Sequence, residues 1–151
     1  MTASRFEVSA VVHAPPEIVY SIIADYRESH PRILPRPPFV SLVVEEGGTG
    51  AGTVIRVEMR VLGRRQSFRA EVAEPEPGRR LVETTDTGYV TTFTVEPAPG
   101  GYARATIATE MPRAGALERW AVARLLRPAY ARELALLDQE ATTRAGTRRG
   151  A

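Results

Sequence analysis

From Phe6 to His13 the chain alternates. Phe6, Val8, Ala10 and Val12 fall on one side and Glu7, Ser9, Val11 and His13 on the other, which predicts a strand with one face against a core. The alternation stops at Ala14-Pro15-Pro16. Pro16 suits a first helical position and Glu17 a first turn, and Ile18, Val19, Ile22 and Ile23 then form an apolar stripe as far as Asp25, predicting a helix of about two turns. Asp25 suits the N-cap of a second, very short helix at Tyr26–His30, which Pro31 is expected to stop. Six more strands follow, each bounded by turn residues: Phe39–Glu46 before GGTGAG, Thr53–Val61 before GRR, Ser67–Glu74 before PEPG, Arg80–Thr85, Tyr89–Glu96 before PAPGG, and Tyr102–Met111. The third of the seven is the clearest, with Ile55, Val57, Met59 and Val61 facing one way and Arg56, Glu58 and Arg60 the other. Short loops between neighbours imply antiparallel hairpins.

After Gly115 the period becomes helical, with Val122, Leu126, Tyr130, Leu134 and Leu137 near one stripe of a long helix that Pro128 is expected to kink. The last ten residues, TTRAGTRRGA, carry no apolar anchor and are expected to be disordered. The order is α+β: one strand, two short helices, six strands, one long helix. A seven-stranded twisted sheet with one apolar face curls, and the long helix can close its open side around an interior too wide for side chains to fill.

The composition excludes more than it selects. The 151 residues suit one domain, and no stretch nears the roughly 18 apolar residues of a membrane span. The N-terminus lacks the basic start and apolar run of a secretory signal, which makes the cytoplasm the expected location. There is no Cys, no Asn and no Lys, so disulfides, thiolate nucleophiles, Cys-ligated metals, Schiff bases and a P-loop lysine are all ruled out. Two isolated His without an acidic pattern give no metal site, and no cofactor motif is present. Residues 113–151 carry eight Arg against four acids, but the charges interleave on one helix and no aromatics are spaced for base stacking, which argues against nucleic acid.

Three segments together resemble a known family. VSAVVHAPPEIVYSIIADY is similar to its first strand and helix, EPEPGRRLVE to the approach to its fifth strand, and FTVEPAPGGYARATIATEM to its sixth and seventh strands. On these the chain resembles the START-like (SRPBCC) superfamily, nearest to the polyketide cyclase/dehydrase-like members, over residues 5 to about 141. Where many relatives carry a Trp after the short helices, this chain has HPRILPRPPF, and its one Trp is Trp120. The resemblance implies a helix-grip fold, with residues 1–141 as one ligand-binding domain and 142–151 as a tail. It also implies relatives that bind lipids, sterols, polyketides or other apolar ligands, some of them cyclising polyketides.

Inward alternation predicts a cavity lined by Val57, Met59, Phe68, Ala70, Phe93, Val95, Ile107 and Met111, with Leu126 and Tyr130 from the long helix. A lipid or an aromatic polyketide-like molecule is the expected ligand, bound without a cofactor. The first alternative is an enzyme, a cyclase or dehydratase. In it His30, in a corner that this fold places at the cavity mouth, acts as a general base, and Tyr26 or Arg32 stabilises an enolate. The second is an interaction module presenting Arg119, Arg124 and Arg127 of the basic helix to a protein or membrane surface. Oligomeric state and ligand identity are not encoded in any pattern found.

Overall fold

The N-terminal alternation folds as β1 (Arg5–Val12), and the later alternating stretches become β2 (Phe39–Glu46), β3 (Val54–Val61), β4 (Arg64–Glu76), β5 (Arg80–Thr85), β6 (Val90–Ala98) and β7 (Tyr102–Glu110). The computed structural model describes residues 5–150. All seven strands join in one antiparallel sheet of order β1-β7-β6-β5-β4-β3-β2. The chain therefore begins at one edge, crosses to the other through two short helices, and returns strand by strand as hairpins. The tightest hairpin joins β3 to β4 through Leu62 (φ 53°) and Gly63 (φ 78°), the pair of positive φ values that matches the twist of a two-residue turn.

The crossing helices are α1 (Pro16–Ala24) and α2 (Ser29–Ile33), and the long one is α3 (Ala116–Gly150). Pro16 occupies the first position of α1, and Ile18, Val19, Ile22 and Ile23 are buried. On α3, the buried residues Leu126, Tyr130, Leu134, Leu137, Ala141 and Ala145 recur every three or four positions. That stripe packs α3 against β1, α1 and α2, which closes the concave side of the sheet in the helix-grip manner. On the outer face, Glu45 of β2 receives both Arg56 of β3 (3.1 Å) and Arg69 of β4 (2.7 Å), exposed pairs of small energetic weight. No helix among the described residues is long and apolar enough to cross a membrane.

Two expectations are corrected. The second short helix runs from Ser29 to Ile33, not from Tyr26 to His30, and Pro31 lies inside it. Pro31 is its third residue, where an N–H has no partner one turn back, so the ring breaks no helical bond. Asp25 still caps the corner, accepting from the N–H groups of Arg27 (3.2 Å), Glu28 (3.3 Å) and Ser29 (3.2 Å). Second, residues from 142 to 150 are helical. Ala145 is buried, and Arg144 bonds both Ser29 Oγ and Glu140 Oε2 at 3.1 Å, so small and polar residues anchor a segment that lacks large apolar ones. Ala151 lies outside the described residues. His13, on the outward side of the β1 alternation and exposed, pairs with Asp138 of α3 through its N–H (2.8 Å) and Nδ1 (3.1 Å).

Candidate functional site

Between the sheet and α3 lies a cavity of about 480 Å³. Its side walls are the inward rows of β2 to β6, where Leu42, Ile55, Val57, Met59 and Phe68 are apolar because every second residue of those strands turns inward. Leu125 and Leu126 of α3 form the opposite wall. Exposed Gln66, Thr87 and Glu118 mark an open end, while buried His30, Phe93, Thr109, Tyr130 and Glu133 mark a closed one. At the open end the Tyr89 hydroxyl donates to the Glu118 carboxylate, joining the sheet to the start of α3. Burial, with the neighbouring Glu118 carboxylate, pushes the Tyr89 pKa up to about 12.

Polar groups are concentrated at the closed end. His30 is 1% exposed, its ring stacked on Tyr26 (4.6 Å between centroids) and edge-on to Phe93 (5.4 Å). Its Nδ1 lies 2.7 Å from the Ile23 carbonyl, which can only accept, so Nδ1 carries the proton and Nε2 is left with its lone pair. Burial lowers the pKa of His30 to about 4, and the ring is neutral at pH 7. Nε2 stands 3.8 Å from Oε2 of Glu133, too far for a direct hydrogen bond. Glu133 is 2% exposed, and its Oε2 has no hydrogen-bond partner among the described residues. Burial, reinforced by the Glu83 carboxyl, pushes the Glu133 pKa well up and so favours its neutral, protonated form.

Glu83 keeps some accessible surface because it lines the cavity, yet its carboxyl is enclosed enough that burial pushes its pKa up to about 7, against the lowering effect of the Tyr26 hydroxyl that donates to it at 2.5 Å. Thr91, Thr109 and Tyr130 continue the polar lining through hydroxyl contacts of 2.9 and 2.6 Å. The corner bearing Tyr26 and His30 is held in place by the glycine loop that follows β2. Gly48 O accepts from Tyr26 N–H (2.9 Å), and Gly50 N–H donates to Ala24 O (3.0 Å). Gly47, at φ 69°, approaches so closely that an added Cβ would lie 2.9 Å from Thr53 Cα.

Of the residues expected in the cavity, Val57, Met59, Phe68, Phe93, Leu126 and Tyr130 line it. Ala70, Val95, Ile107 and Met111 are buried but do not. Ala70 stands in register between Ile55 and Thr85, which do line it, and is too short to reach. Val95 and Ile107 belong to strands against which α1 packs, and there the concave face is filled. Met111 follows the last residue of β7, where its carbonyl accepts from Ala114 N–H (3.2 Å) at the turn into α3. Of the trio expected at the mouth, His30 lies at the closed end, and Tyr26 stands behind it with its hydroxyl engaged by Glu83. Arg32 is exposed and faces Glu140 of α3 at 3.7 Å, away from the cavity. The three helix arginines have intramolecular contacts: Arg119 with the Ala114 carbonyl (2.7 Å), Arg124 over the Trp120 ring and Arg127 over the Phe6 ring, each at 5.6 Å.

Glu83 and Glu133 are missing from the sequence expectation, although each left a trace. Glu83 falls on the inward alternation Leu81, Glu83, Thr85, and Glu133 falls on the apolar stripe between Tyr130 and Leu137. A carboxylate on a buried stripe is the signal, since such groups are seldom enclosed without a purpose.

A family model described as polyketide cyclase / dehydrase and lipid transport matches residues 3–142. Among solved structures, the KanY protein is 24% identical over 91% of this chain and 97% of its own, with a TM-score of 0.81. Zhui aromatase/cyclase from Streptomyces sp. R1128 is 18% identical over 93% and 94%, with a TM-score of 0.74. A START superfamily protein from Mycobacterium smegmatis is 14% identical over 92% and 97%, with a TM-score of 0.70. These likenesses establish a shared fold. No curated protein is matched.

Proposed function

The chain belongs to the polyketide cyclase / dehydrase and lipid transport family, and from that premise we propose that it binds an apolar or amphipathic small molecule, a lipid or an aromatic polyketide-like compound, inside the cavity. The observation that carries this reading is the cavity itself: about 480 Å³, within the range of small-molecule sites, apolar along its walls and with buried polar groups at its closed end. Apolar walls supply affinity through removal of ligand surface from water, at about 25 cal/mol per Å², and the polar end fixes orientation. The test is native mass spectrometry of the gently purified protein, before and after incubation with lipids and aromatic metabolites extracted from its source. A retained mass in the wild type that is lost in Val57→Trp, which fills the cavity, is the expected result. No added mass under any condition would refute the reading.

A second reading, a cyclase or dehydratase, draws support from one observation, the enclosure of the Glu83 carboxyl in the cavity wall beside the Tyr26 hydroxyl, a burial that pushes its pKa up to about 7. A group poised near neutrality exchanges protons most effectively there. His30 is the poorer base, because burial disfavours the imidazolium that proton uptake would create. On this reading Glu83→Gln abolishes turnover of a retained polyketide while leaving its binding intact, and unchanged turnover rejects it.

A further inference from the structure

Arginine is the only strongly cationic side chain in the sequence, and among the described residues none lines the cavity, whereas Glu83, Glu118 and Glu133 do. A ligand carboxylate or phosphate entering this space would find no counter-ion and would meet acidic groups at both ends. The closed end offers another kind of recognition. Nε2 of His30 and Oε2 of Glu133 are 3.8 Å apart and both belong to side chains only 2% exposed. Nε2 is free to accept because Nδ1 is committed to Ile23, and Oε2 has no partner among the described residues. A buried polar atom left unmatched is unfavourable, so an arrangement with one such atom facing an open acceptor favours an oxygen that satisfies both.

We propose that the closed end of the cavity is a hydroxyl-binding subsite, in which one alcohol or phenol oxygen of a neutral ligand accepts from the Glu133 carboxyl and donates to His30 Nε2. An oxygen at about 2.8 Å from each atom closes a triangle on the 3.8 Å separation. The donor–acceptor order requires a protonated Glu133 and a neutral His30, which are the states that burial favours for both. Only a group that donates and accepts at once completes the pair, so an ether or a ketone fits half of it. Other titratable groups facing the pair are Glu83 from β5, Tyr26 from the corner before α2, Tyr130 from α3 and Asp25 from the end of α1. None of them is a cation. This inference rests on the cavity reading above, because the subsite is its inner end.

The test is fluorescence titration at pH 7 of the full chain with five probes of one ring size: naphthalene, 2-naphthol, 2-methoxynaphthalene, 2-naphthoate and 2-naphthylmethylamine. The expected result is that 2-naphthol binds about tenfold or more tighter than 2-methoxynaphthalene, and 2-naphthoate about tenfold or more weaker than naphthalene. In Glu133→Leu the preference for naphthol over its methyl ether falls to near one while naphthalene is still bound. In Glu133→Gln, whose amide also donates, most of the preference survives. Equal affinities for naphthol and its methyl ether in the wild type would overturn the subsite while leaving the cavity reading intact, as would a preference that persists in Glu133→Leu. Tightest binding of the amine would overturn it in favour of a cation site. Failure of every probe, naphthalene included, would refute the cavity reading and the subsite with it. The wild-type comparison needs no variant to fold.

Discussion

At Glu83 the folded protein holds a proton that the unfolded chain gives up. The carboxyl is raised from its ordinary value to about 7, so the native state binds the proton more tightly, and the resulting stability is complete at acid pH and lost as pH rises through 7. His30 acts in the opposite sense. Its pKa falls to about 4, so stability is complete above about 6.5 and is lost as pH falls toward 4. The two trends oppose each other between about pH 4.5 and 6.5, and the loss on the alkaline side belongs to Glu83 and Glu133. Urea denaturation at pH 5 and pH 8 separates them. Glu83→Gln should gain up to about 3 kcal/mol on the wild type in going from pH 5 to pH 8, because the wild type must give up the proton that Glu83 holds until about pH 7. An unchanged difference between the two pH values would contradict the enclosed position of this carboxyl. Tyr26→Phe removes the donor that Glu83 accepts from, and should cost about 1–3 kcal/mol and move the Glu83 titration upward, as read from its carboxyl carbon by NMR.

Among the elements, the corner between α1 and α2 and the last turns of α3 depend most on contacts distant in sequence. Gly47 combines a positive φ with a backbone neighbour that no added Cβ can avoid. Gly47→Ala should therefore cost about 1–3 kcal/mol, which lowers Tm by several degrees in a chain of this size, and calorimetry reads it directly. Truncation after Ala141 tests the end of α3. If Ala145 and the Arg144 contacts with Ser29 and Glu140 contribute as placed, the shortened chain melts at lower temperature, whereas an unchanged Tm would return residues 142–150 to the status of a dispensable tail. The same contacts explain why that segment reads as disordered in sequence. Its anchors are an alanine, too small to mark the stripe it continues, and a guanidinium one of whose partners lies 115 residues away.

For the molecule as a whole, the cavity exists because α3 spans the sheet without filling it, and access lies between the sheet and the start of that helix. The Tyr89 hydroxyl joins the two sides there. Tyr89→Phe should speed both entry and escape of a bound aromatic probe in stopped-flow measurements with little change in affinity, since the cavity walls are untouched; equal rates would show that ligand passes elsewhere. The alternation of β1 to β7, the proline at the start of α1 and the α3 stripe determined the elements and their order, because periodicities of two and of 3.6 are local properties of the chain. Of the ten expected lining residues six line the cavity, four of them through the strand alternation and two through the α3 stripe. The tertiary structure alone decided the rest. The position of α1 settled which inward residues meet open space and which meet a helix, and the sheet and α3 together brought Glu83 and Glu133, fifty residues apart, to the end where His30 is buried. Depth, enclosure and the neighbouring carboxyl shift the charge states there, and these are properties of a closed surface that no run of neighbouring residues specifies.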